Sequence, residues 1–156
     1  MENTVFDSAA LYASLSLIAK EHEIVQYDVL TRSILGRDIP LITLGKGRKT
    51  VLYVGAHHGM EWITAAVLTD FIEDFCRQYQ KQAAPFGYRM SYMLEKRRIL
   101  IVPMLNPDGV EYATHGVTSD NPLYTRVMSM NGSADFSHWR HFLSGSDIIM
   151  FAPANW

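Results

Sequence analysis

Two short apolar runs, Thr50-Val51-Leu52-Tyr53-Val54-Gly55 and Arg98-Ile99-Leu100-Ile101-Val102-Pro103, flank one long apolar-striped segment from Ile63 to about Gln80. Short runs without polar alternation read as strands covered on both faces. The segment between them is too long for a strand. It sets Ile63, Val67, Phe71 and Phe75 on one stripe with Ile72 and Tyr79 beside it, the pattern of a helix buried against something large. Strand, long helix and strand in this order form a parallel crossover unit, right-handed by the usual rule. That arrangement commits the chain to an α/β fold.

The flanking segments extend the same sheet. Asp7 or Ser8 caps a first helix that carries Leu11, Leu15 and Ile18 on one face. Val25, Tyr27 and Val29 alternate with polar residues, and Ile39 to Leu44 is apolar again after Gly36-Arg37-Asp38, so the spacing predicts a hairpin. Pro40 lacks an N–H, which places the start of the second strand at Pro40 or that strand at a sheet edge. Gly45-Lys46-Gly47-Arg48 reads as a turn, Pro85-Phe86-Gly87 as a loop and Ser91 to Lys96 as a short helix. The expected class is therefore α/β, a mixed β-sheet with flanking helices, in a single domain without repeats or linkers.

Composition narrows the partners. Of 156 residues 48% are hydrophobic, enough for a core, and the net charge is −2 with both signs mixed along the chain. No basic stripe suits nucleic acid, so a peptide or small-molecule partner is the default. Met1-Glu2-Asn3-Thr4 does not open like a secretion signal, and no apolar stretch approaches the ~20 residues that span a bilayer. Cys76 is the only cysteine, which excludes an intramolecular disulfide, and its helical setting reads as a buried, inert thiol. A soluble cytoplasmic protein, with no nucleic acid and no membrane among its partners, is the expectation.

The residues that can carry chemistry are His58-Gly59-Met60-Glu61, placed where the first buried strand ends and the long helix begins. Open α/β sheets keep their ligands at that end of the strands. The spacing puts His58 and Glu61 on one side of a first helical turn, and imidazole and carboxylate are both good zinc donors. Gly59 allows a sharp turn between them. The four letters alone are unspecific: Glu61 also suits the positive end of a helix, and His57 or His58 also suits a hydrogen-bonded strand end. Beyond the second strand, Asn106-Pro107-Asp108-Gly109 reads as a rigid tight turn at the same edge of the sheet.

Taken together, His58-Gly59-Met60-Glu61-Trp62, Asn106-Pro107-Asp108-Gly109, Asn121-Pro122-Leu123-Tyr124 and Asp135-Phe136-Ser137-His138-Trp139 resemble the zinc carboxypeptidase (carboxypeptidase A-like) metallopeptidases. The set is most similar to the bacterial γ-D-glutamyl-diamino acid peptidases, which cut peptides derived from peptidoglycan. The resemblance runs from about residue 24 to 140 and implies the N-terminal part of a carboxypeptidase-like fold. It makes His58 and Glu61 the first two ligands of one zinc ion, with His57 a neighbour rather than a ligand. It further implies that Arg140 steadies the oxyanion of the tetrahedral intermediate, and that the substrate is a peptide.

The tail, residues 141–156, departs from the family pattern. The resemblance places the third zinc histidine and the general-base glutamate further along than this chain reaches, and it assigns no substrate-binding residue here. His115, His138 or His141 could in principle supply a replacement donor. The expectation is a partial zinc-peptidase domain, a truncated or frame-shifted version of a longer protein, which sequencing past codon 140 tests. Such a half-domain leaves a sheet edge unpaired and the long helix partly uncovered, which favours self-association. Two other functions share these residues: a zinc deacylase of N-acyl amino acids, and a non-catalytic fragment or peptide-binding module.

Overall fold

The computed structural model describes residues 5–145. Asp7 caps helix α1 (Ser8–Glu21) by accepting the Ala10 N–H at 2.9 Å, and Leu11, Leu15 and Ile18 are the buried face of that helix. Strands β1 (Val25–Arg32) and β2 (Asp38–Leu44) form the antiparallel hairpin, in register from Val25 opposite Leu44 to Arg32 opposite Asp38, with an irregularity between Val29 and Thr31. Strand β3 (Lys49–Val54), helix α2 (Ile63–Gln80), helix α3 (Met90–Lys96) and strand β4 (Arg97–Val102) complete the crossover. Helices α4 (Pro107–His115) and α5 (Tyr124–Asn131) follow.

The sheet order is β1-β2-β4-β3, with β3 and β4 parallel and β2 antiparallel to both neighbours. The fold is α/β with a mixed sheet and flanking helices. Two expectations about strands change. Strand β2 is interior and begins at Asp38, two residues before Pro40. The proline is tolerated because β4 pairs with β2 only from Ile42 to Leu44, so no ladder bond is asked of Pro40 on that side. Strand β3, expected to be covered on both faces, is an edge: Val51, Leu52 and Tyr53 are 42%, 57% and 43% exposed.

The long helix also turns differently from the expected stripe. Its buried side is Ala65, Thr69, Ile72, Phe75 and Cys76, whereas Ile63, Val67 and Phe71 face outward. Phe71 still meets Tyr53 edge-on at 5.8 Å, which lays α2 over β3. The main core gathers Leu11, Leu15, Ile42, Leu44, Ile72, Ile101, Met104 and Val110, and a second, smaller one joins Tyr112, Val127, Phe136, Trp139 and Leu143. Burial, with a smaller contribution from Glu73, pushes the Cys76 thiol up to about 11, so it stays protonated and inert as expected. No helix among the described residues is long and apolar enough to cross a membrane.

Candidate metal centre

Parallel pairing of β3 with β4 does not stop at the strand ends. Gly55 N–H donates to Val102, then Leu105 N–H to Gly55 and Asn106 N–H to Ala56, each near 3.0 Å. This ladder carries the His57-His58 segment alongside Asn106. Ala56, buried within it, holds φ +46°, a conformation that costs an L-residue about 1–2 kcal/mol. The surroundings hold it there. Its N–H donates to Thr64 Oγ1 at 2.7 Å, and the Thr64 hydroxyl donates in turn to the Glu61 carbonyl at 2.8 Å.

One hydroxyl therefore ties the strained strand exit to the turn bearing Glu61. Thr64→Val keeps the shape and removes both bonds, at an expected cost of about 1 kcal/mol. Hydrogen exchange at the Ala56 amide should rise in that variant. An unchanged exchange rate would mean that the hydroxyl does not hold the loop.

Beyond Ala56 the chain extends through His58 and closes a 3-10 turn, Gly59–Glu61, in which Glu61 N–H donates to the His58 carbonyl. The spacing of three then places His58 Nδ1 2.8 Å from Glu61 Oε1. The imidazole is 2% exposed and the carboxylate side chain 39%, so one donor is fixed by burial and the other reaches solvent. Two donors on a tetrahedral zinc, each about 2.1 Å from it, stand roughly 3.4 Å apart. An opening of about half an ångström would let a cation replace the present contact, so this donor pair fits zinc.

The opposite wall is Asn106-Pro107-Asp108-Gly109. It is no free-standing turn: Asn106 is the N-cap of α4, accepting the Gly109 N–H at 2.9 Å, and Pro107 is the first helical residue. The Asn106 amide also donates to the carbonyls of His57 and His141, at 3.3 and 3.2 Å, joining three segments at one buried side chain. Gly59 is needed for close approach rather than for a sharp turn. A Cβ there would stand 2.0 Å from the Gly109 carbonyl oxygen and 3.0 Å from the Trp139 ring. Met60 N–H donates to the Trp139 carbonyl, closing the loop on its far side. Asp108, 3% exposed, accepts Ser33 Oγ, Leu35 N–H and Arg37 Nη1 at 2.8, 3.1 and 2.7 Å, pinning the β1–β2 turn to α4.

None of the three candidate replacement donors groups with the pair among the described residues. His115 is exposed on α4 and contacts Asp7 at 3.0 Å. His138 is exposed, and the His141 ring stacks edge-on against Trp139 at 5.7 Å. Arg140 is exposed and adjoins Trp139, whose backbone meets the His58 loop. Among the described residues no group of three His, Cys, Asp or Glu could hold a metal. Thr64, Asp108 and the cross-linking role of Asn106 were not anticipated. Asn106-Pro107 was read as a tight turn, although asparagine followed by proline is also a helix-start signal that could have marked Asn106 as a cap.

A family model described as zinc carboxypeptidase matches residues 11–147. The gamma-D-glutamyl-L-diamino acid endopeptidase 1 of Lysinibacillus sphaericus is 27% identical over 152 residues, covering 97% of this chain and 38% of that protein. The inactive metallocarboxypeptidase ECM14 of Paracoccidioides brasiliensis (strain Pb03) is 31% identical over 84 residues, 49% of this chain and 13% of that one. Among solved structures, a metallo-carboxypeptidase from Burkholderia cenocepacia shares the fold with a TM-score of 0.63 at 17% identity, covering 96% of this chain and 33% of that one. The chain spans about two-fifths of the length of the bacterial relatives it matches.

Proposed function

Because this chain belongs to the zinc carboxypeptidase family, we propose that His58, through Nδ1, and Glu61 are two of the ligands of a peptidase zinc ion. The observation that carries this reading is the 2.8 Å contact between a buried imidazole and a carboxylate at the outlet of two parallel strands. Bound there, zinc supplies Lewis acidity toward a carbonyl and a water of lowered pKa. The chain's own part is orientation: burial fixes the His58 ring, Thr64 ties Glu61 to the strand exit, and Asn106 holds the His57 carbonyl. Arg140 is the proposed donor to a developing oxyanion, supported by its place beside Trp139 on the segment that meets the His58 loop.

The substrate class proposed is a γ-D-glutamyl-diamino acid peptide of peptidoglycan origin. The endopeptidase relative supports it, as does the run of motifs from His58 to Trp139. Zinc stoichiometry of the purified chain tests the metal. Hydrolysis of γ-D-glutamyl-diaminopimelate peptides beside N-acyl amino acids tests the substrate. Turnover confined to the acyl amino acids would replace the peptidase by a deacylase. A non-catalytic reading has its own support, since the described residues offer two zinc donors rather than three and one relative is itself called inactive. Zinc-independent binding of the peptide without turnover would establish that reading.

The uncovered edge of β3, together with the exposed Ile63 and Val67 of α2, makes self-association the expected behaviour. Sedimentation velocity should show concentration-dependent association that Leu52→Lys reduces. Identical profiles for the two proteins would sink this expectation.

A further inference from the structure

At the end of β3 and β4 remote from His58 opens a cavity of about 750 Å³, and four cations line it: Arg48, Lys49, Lys96 and Arg97. Two basic stretches distant in sequence are pinned together there. The parallel register sets Lys49 opposite Arg97 and Thr50 opposite Arg98. Gly47 lets the preceding turn lie directly on the α3–β4 junction: its N–H donates to the Arg97 carbonyl, and a Cβ would stand 2.0 Å from the Lys96 carbonyl carbon. Like charges directly across neighbouring strands repel. None of the four forms an ion pair among the described residues, and Glu95 is the one carboxylate in the lining.

The chain as a whole carries −2, so this surplus of positive charge is local and held against its own repulsion. The same cavity exposes two flat rings, Tyr88 at 62% and Tyr92 at 52%, and Lys96 Nζ lies 5.5 Å from the centre of the Tyr92 ring. Unneutralised cations ask for a ligand with several negative charges, and exposed tyrosines for a flat surface to stack on. The volume is that of a small-molecule site. We propose that this cavity binds a nucleoside polyphosphate, its phosphates on Lys49, Lys96 and Arg97 and its base against the tyrosines. The site is independent of the metal centre and of the peptidase reading.

The test is calorimetric titration of the purified chain in metal-free buffer with ATP, inorganic triphosphate and adenosine. ATP should bind most tightly, triphosphate several-fold more weakly, and adenosine not measurably. Affinity for both anions should fall as salt shortens the screening length from about 30 Å at 0.01 M to about 8 Å at 0.15 M. Lys49→Gln with Arg97→Gln should weaken both anions at least about tenfold, whereas Tyr92→Leu should weaken ATP alone. The substituted positions are exposed, and thermal melts confirm that the variants fold. ATP affinity unchanged in the charge variant overturns the site. ATP binding no tighter than triphosphate overturns the nucleoside, a comparison that needs only the unaltered chain.

Discussion

In His58→Ala, zinc uptake by the purified chain is expected to fall at least about 100-fold, beyond the 10–100-fold typical of losing an outer-shell partner. Two protein donors would hold zinc weakly even before substitution, and removing the imidazole would leave one partly solvated carboxylate. Competition against a chromogenic chelator measures the change directly, without any need for turnover. Glu61→Gln is the companion: it preserves volume and removes the anionic donor, and should weaken zinc by a comparable factor. Thermal melts separate metal loss from unfolding. Removing a buried imidazole leaves a small cavity, which the remaining ladder from Gly55 to Asn106 should tolerate. Zinc uptake equal in both variants and in the unaltered chain would show that the metal sits elsewhere, and would end the peptidase reading of this pair.

The meeting of His58 with Glu61 was legible from sequence because its signal is local. A histidine and a glutamate three apart at a strand-to-helix junction meet across one turn whatever else the chain does. The Asp7 cap, the hairpin, α2, α3 and β4 were legible for the same reason, each resting on period and punctuation within a few residues. What escaped depends on distant neighbours. The order of strands decided that Val51, Leu52 and Tyr53 face outward, and nothing within β3 distinguishes an edge from a centre. Helix α2 is apolar around a wide arc, so its pattern could not say whether Val67 or Thr69 turns inward. Gly59 is required by its approach to the Gly109 backbone, where a Cβ would stand 2.0 Å from the carbonyl oxygen, which no local rule foresees. The bonds from Asn106 to His57 and His141, and from Asp108 to the β1–β2 turn, span 35 to 75 residues of chain.

Of those long-range bonds the Asp108 cluster should have the largest effect on stability. Asp108→Ala is expected to destabilise the chain by about 3 kcal/mol, toward the low end for breaking a buried ion pair, because Arg37 is 31% exposed and water screens part of the interaction. The loss has three parts: the guanidinium, the Ser33 hydroxyl and the Leu35 N–H all give up one acceptor. At this chain length it corresponds to a fall in Tm of about 9 °C. Asp108→Asn should recover little, since its amide would present a donor to partners that are themselves donors. Arg37→Met, which removes the more solvated member, should cost less than either. A double-mutant cycle of Arg37→Met with Asp108→Asn isolates the pair from the backbone contact. If Asp108→Ala melts within about 1 °C of the unaltered chain, the hairpin is not pinned through this carboxylate and its approach to α4 must rest on β2 and α1 alone. If the predicted drop appears while zinc affinity in the folded variant stays nearly constant, Asp108 secures the fold while the Asn106 and Thr64 bonds aim the donors.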